Sequence, residues 1–260
     1  MQRTVSSLKN NFGKFVIIFF ATVIAIVLIV FCFSIFPFKS GLKTTFDEKK
    51  FYFVFTNKSV NQSELINSQE LIKKLGGSGE IIQIKDYYYL ISSVYTLEDD
   101  AKNVEQKIKT NFGGCGTLTL TAKKINNLIK NIAYNNQDIL DFFSFQSKLS
   151  NEIIERGISY LSGQTTVRDF SAYVLEKKIE LEKIKIQIET INKSIESNKT
   201  DSQNERKNAL ISSVIFSSNL YNLYFDNFLN NFFDSSKKDS LVSELATNFI
   251  LCYCDFCNNL

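Results

Sequence analysis

The chain has 260 residues, 22% of them charged and 44% hydrophobic, with 13% aromatics, ten Gly, one Pro, five Cys and no Trp or His. Without histidine there is no Ser-His-Asp or Cys-His nucleophile, no H-E-x-x-H zinc site and no imidazole acid or base. An enzyme would have to run on carboxylates, Lys, Cys or Tyr. Residues 1–50 carry seven basic side chains against two acidic ones, and the remainder 23 against 25. The net charge of +3 therefore comes from the N-terminal end, which leaves no cation surplus for nucleic acid.

After a short tail, residues 1–14, no charged residue occurs from Phe15 to Phe38. Those 24 residues, at 1.5 Å each, reach about 36 Å and predict a transmembrane helix. Lys14 and Lys39 bound the run and Pro37 stops it. Phe33-Ser34-Ile35-Phe36 lacks the small residues of a signal-peptide cleavage site. The expected topology is a single pass through the lipid bilayer, with the tail inside and the C-terminal bulk extracytoplasmic. Residues 39–50 read as a linker.

Residues 51–122 alternate in short elements. Phe51–Thr56 is rich in β-formers, and Asn61–Leu75 has apolar residues at helical spacing with Gly76-Gly77 as its stop. Glu80–Ile84 and Tyr87–Tyr95 read as strands joined by a tight turn at Lys85-Asp86. Thr96 is placed to cap a helix that buries Ala101, Val104 and Ile108, with Asp99 and Asp100 favoured by the helix dipole in its first turn. Thr117–Thr121 alternates as a last strand. The order β-α-β-β-α-β predicts an open antiparallel sheet with two helices on one face, in an α+β fold.

The run Tyr88-Tyr89-Leu90-Ile91-Ser92-Ser93-Val94-Tyr95, followed by Asp100-Ala101-Lys102-Asn103-Val104-x-x-x-Ile108, resembles the second half of a SPOR (sporulation-related repeat) domain. Phe51–Thr56 and Leu71–Gly76 match its first strand and the end of its first helix. The resemblance covers about 70 residues, and an N-terminal anchor ahead of such a domain is an arrangement found in clostridial members. It implies binding of peptide-stripped peptidoglycan glycan strands on the open sheet face. By position the ligand-facing side chains would be Tyr52, Val54 and Thr56, with Tyr89, Ile91 and Ser93. Tyrosine suits sugars, offering a flat face and a hydroxyl. A polar residue is typical of the family where Val54 stands, and glycine where Thr56 and Ser93 stand. An apolar face here fits either a glycan groove or a sheet covered by the C-terminal helices.

From Lys123 to Leu260 the pattern is helical and coiled-coil-like. Val167, Phe170, Val174, Leu181, Ile184, Ile188, Ile191 and Ile195 hold a heptad rhythm that only Lys177 interrupts. This seam is expected inside a helical hairpin or bundle, or alternatively in parallel self-association. Ser197–Ser202 and Asp234–Lys238 read as turns. Between them Tyr221, Tyr224, Phe225, Phe228, Phe232 and Phe233 make a stripe broader than one seam requires, read as core with a partner groove as the alternative.

Cys252, Cys254 and Cys257 are one group of three with no histidine, which fits buried thiols better than a disulfide or a four-ligand zinc site. No metal and no cofactor is expected. The Lys/Asn/Ile/Phe bias suggests an AT-rich bacterial genome. Together these readings predict a non-catalytic, membrane-anchored cell-wall adaptor that binds glycan strands during cell division or sporulation. The alternative is a membrane-anchored helical scaffold for a homo-oligomer or a membrane protein partner, with the SPOR-like domain as spacer.

Overall fold

Lys49–Ser59 forms the first strand, β1, and its composition places it at the centre of the molecule. Phe51, Phe53, Val54, Phe55 and Thr56 are all buried, so both faces of its central stretch are covered. An alternating strand has one wet face, whereas an unbroken apolar run belongs to a strand covered on both sides. The computed structural model describes residues 47–134, 136–196, 202–233 and 236–260, and all of them belong to one compact unit.

Helix α1 (Ser63–Lys74), strands β2 (Glu80–Ile84) and β3 (Tyr87–Tyr95), helix α2 (Glu98–Ile108) and strand β4 (Gly116–Ala122) follow β1. The strands lie in the order β2-β3-β1-β4, antiparallel throughout. α1 packs Leu65 and Ile72 on Leu90 and Ile81 of the sheet. Gly76 (φ 85°) lets the chain turn back after α1, and the β2–β3 turn holds Lys85 at φ 54°. α2 starts after Leu97 with no side-chain cap, so Thr96 does not cap it; Glu98, Asp99 and Asp100 supply negative charge to its first turn.

Five more helices follow: α3 (Asn127–Tyr134), α4 (Gln137–Leu161), α5 (Val167–Glu196), α6 (Ser202–Phe232) and α7 (Lys238–Asn258). α5 packs along α6, and α4 and α7 lie against that pair. They do not stand apart from the sheet, because α7 crosses the face that α1 and α2 leave open. The Phe51 ring meets the edge of Tyr253 at 6.0 Å. Ser243 Oγ donates to the Gly76 carbonyl at 2.8 Å, Lys73 pairs with Glu244 at 3.1 Å, and the Lys123 N–H is capped by Asn258 at 3.0 Å.

The expected fold class needs correction. Among the described residues no helix is long and apolar enough to cross a membrane. What they form is an α+β body of seven helices and one four-stranded antiparallel sheet. α5 and α6 have the length, at 30 and 31 residues, but charged side chains recur along α5 and Ser and Asn interrupt the apolar residues of α6. The run 15–38, where the span was expected, lies outside the described residues, as do the tail 1–14 and residues 39–46 of the linker.

The closure of α7 over the sheet sets one pH dependence. Glu80 lies under α7, where Asn248 Nδ2 reaches it at 3.4 Å. Burial, and after it the Glu244 charge, hold its carboxyl above the ordinary value of 4.5. The folded chain thus keeps this proton more tightly than the unfolded one. Its contribution is favourable in acid and is lost as pH rises from the unfolded value through the raised folded one. Glu80→Gln should leave the urea midpoint unchanged at about pH 4 and raise it at about pH 7. An equal shift at both pH values would remove the linkage.

Candidate functional site

The six residues aligned with a glycan face do not come together on one. Cross-strand partners share a face of a sheet, so the register sorts them. Val54 pairs with Ser93 and with Thr117, whose hydroxyl donates to Glu105 of α2 at 2.7 Å. Tyr52 pairs with Tyr95 and Thr119 in the same register. These side chains therefore face the α1/α2 layer. Phe55 pairs with Ile91 and meets the Tyr89 ring edge-on at 5.1 Å, which places Ile91 and Tyr89 on the α7 side with Phe51 and Phe53.

Two irregularities produce the split. Ser92 is an extra residue on β3 between the partners of Val54 and Phe55, and Thr56 is an extra residue on β1 between those of Phe55 and Asn57. Each insertion shifts the alternation by one. Thr56 is buried, its hydroxyl 3.4 Å from the Leu90 carbonyl. Val54 and Ile91 are both 0% exposed, one under each helical layer. The sheet is covered on both faces, and its open aromatic corner is Tyr87, 42% exposed and 6.5 Å from Tyr89, with the Lys58 ammonium 5.3 Å over its ring.

The heptad seam of α5 is occupied within the chain. Phe170, Val174, Leu181, Ile184 and Ile188 are buried, and Val167 is half-buried. Ile191 and Ile195 lie outside the residues whose side chains are described. Lys177 is buried in the seam rather than turned out of it, 2.9 Å from Glu180 and 3.8 Å from Glu152 on α4. Burial pulls its ammonium down, but the Glu180 hydrogen bond and charge, with Glu152 and Glu176, carry it above its ordinary value. Of these partners Glu152 alone lies on α4, so this one ion pair joins α5 to α4.

The broad stripe of α6 divides in two. Tyr221, Phe225, Phe228 and Phe232 are core, whereas Tyr224 turns toward solvent with Phe216 and Leu220. Those three, with Leu251, Phe256 and Leu260 of the C-terminal segment, line a groove of about 570 Å³ between α6 and α7. Ser212, Ser213, Asp255 and Asn259 form its rim, and Phe216 is 63% exposed at its mouth. Beneath it Tyr221 hydrogen-bonds Cys252 and accepts from Gln146 Nε2 at 2.9 Å. The groove has an apolar floor and a polar rim, the make-up of a site for an amphipathic ligand. The only signal for it in the sequence was the width of the α6 stripe; the α7 wall gave none.

Of the three C-terminal cysteines, only Cys252 lines the groove. Burial pushes the Cys252 thiol up to about 11 and those of Cys254 and Cys257 to about 12, so they stay protonated and unreactive. All three are free thiols, as is Cys115. Among the described residues no three Cys, Asp or Glu side chains are grouped to hold a metal.

Comparison with protein-family models, with curated proteins and with solved structures returns no significant match. The likeness to SPOR domains therefore rests on the residues quoted from the sequence.

Proposed function

We propose that this protein is a non-catalytic, membrane-held adaptor whose α6–α7 groove takes an amphipathic helix of a membrane protein partner. The observation that carries the reading is Phe216. A phenylalanine 63% exposed beside an open apolar groove is costly to leave in water and is repaid when a partner helix covers it. The Ser and Asn rim suits the polar flanks of such a helix, and Asp255 favours a basic one. The charge-free run 15–38 supports a location at the bilayer, where a membrane partner would be concentrated.

The test is a photo-crosslinking amino acid at position 216 of the full chain in cells. One dominant membrane-protein adduct is expected, with about tenfold less of it when Leu220→Lys is added at the groove wall. Absence of an adduct, or one indifferent to Leu220→Lys, overturns the reading.

A second reading, peptidoglycan adaptor, is favoured by the open corner of Tyr87 and Tyr89. There a sugar would stack on Tyr87, with Lys58 beside it. Retention on purified sacculi that falls with Tyr87→Ala would support it, and undiminished retention would count against it.

A further inference from the structure

β4 is the last strand of the sheet, and among the described residues no strand lies beyond it. Edge strands are normally guarded by charge, proline, a bulge or extreme shortness, because their free N–H and C=O groups template another strand. β4 has none of these guards over its seven residues, Gly116-Thr117-Leu118-Thr119-Leu120-Thr121-Ala122. Its register against β1 is regular from end to end. Leu118 and Leu120 are only half-buried although they share a face with the fully buried Phe53 and Phe51.

The order of the residues says what fits that edge. Thr117–Thr121 reads the same in both directions about Thr119. An antiparallel copy centred there sets Thr119 against Thr119, Thr117 against Thr121 and Leu118 against Leu120. These Thr–Thr and Leu–Leu pairs are among those that stabilise neighbouring strands. Charge agrees with this direction. The antiparallel register sets Lys123 against Cys115 and Lys124 against Gly114, while a parallel one would oppose each lysine to itself.

We infer that two copies of this chain join through antiparallel β4–β4 pairing centred on Thr119, forming a continuous eight-stranded sheet. The inference is independent of the α6–α7 groove, which lies on other elements. A single strand edge buries less than the roughly 1,000 Å² of a stable complex. The pairing is therefore weak in dilute solution and is promoted when copies are confined to a membrane plane.

The test uses the full chain in detergent micelles with Cys32→Ser and Cys115→Ser, the three buried cysteines being left in place. Thr119→Cys should give a disulfide-linked dimer under mild oxidation. Directly opposed Cα atoms lie about 4.5–5.5 Å apart, within disulfide reach. Thr121→Cys alone should give none, since its copies are four residues out of register, about 14 Å apart. A mixture of Thr117→Cys and Thr121→Cys chains should cross-link as a heterodimer. Thr119→Lys, at an exposed position, should weaken sedimenting dimers by about fivefold or more through like-charge opposition. Absence of the Thr119→Cys dimer, or equally ready dimers of Thr121→Cys, overturns the inference. So does self-association indifferent to Thr119→Lys.

Discussion

Aspartate in place of Ile91, or in place of Val54, should cost at least about 4 kcal/mol and leave the chain largely unfolded. Both side chains are 0% exposed. The cross-strand partners of neither site are cations: Ile91 lies against Phe55 and Glu80 in the register, and Val54 against Ser93 and Thr117. A carboxylate there is either desolvated unpaired or held protonated, and each state is expensive. Urea titration followed by far-UV circular dichroism measures the loss. The two positions also separate two pictures of the sheet, because a solvent-facing ligand groove accepts aspartate at a cost below about 1 kcal/mol. A small loss at both would mean that α7 and α2 do not close over the strands.

The second large effect is expected at Tyr221. Its ring stacks on Phe249 with centroids 4.2 Å apart and tilts against Phe142 at 6.4 Å, and the side chain is fully buried. Tyr221→Ala should lower stability by about 3–5 kcal/mol through lost burial and an unfilled cavity. Tyr221→Phe keeps the ring and removes only the oxygen, which accepts from Gln146 and also hydrogen-bonds Cys252. Gln146 Oε1 already has no partner, so its amide would then be buried with none at either end. That change should cost about 1–3 kcal/mol, and adding Gln146→Leu should recover part of it. A double-mutant cycle with strictly additive losses would show that the hydroxyl and the amide do not interact.

The elements were legible where periodicity was unambiguous. Strands β1 to β4 and helices α1 and α2 stand within a few residues of the runs read for them, because Gly76-Gly77, Lys85-Asp86 and the Gly113–Gly116 segment punctuate them. The groove was only half legible: the stripe holding Tyr224 was broader than one seam requires and was read as core, and the opposite wall comes from a helix whose placement no local pattern encodes. Lys177 looked like a break in a seam and is a buried member of it, because Glu152 and Glu180 meet it there.

What the amino-acid sequence by itself determined is the order of strands and helices, the absence of imidazole chemistry and the length of the two long helices. These follow from short-range periodicity and composition. Only the tertiary structure decided which faces close. Two single-residue insertions, Ser92 on β3 and Thr56 on β1, sort the residues expected on one ligand face onto opposite sides of the sheet. The helix that covers the side holding Phe51 and Ile91 begins at Lys238, more than 140 residues beyond β3. The run Phe51-Tyr52-Phe53-Val54-Phe55 left open whether its second face was a ligand groove or a covered one. It could not name the helix that dries the second, because burial is a property of a pair of surfaces and a sequence segment displays only one of them.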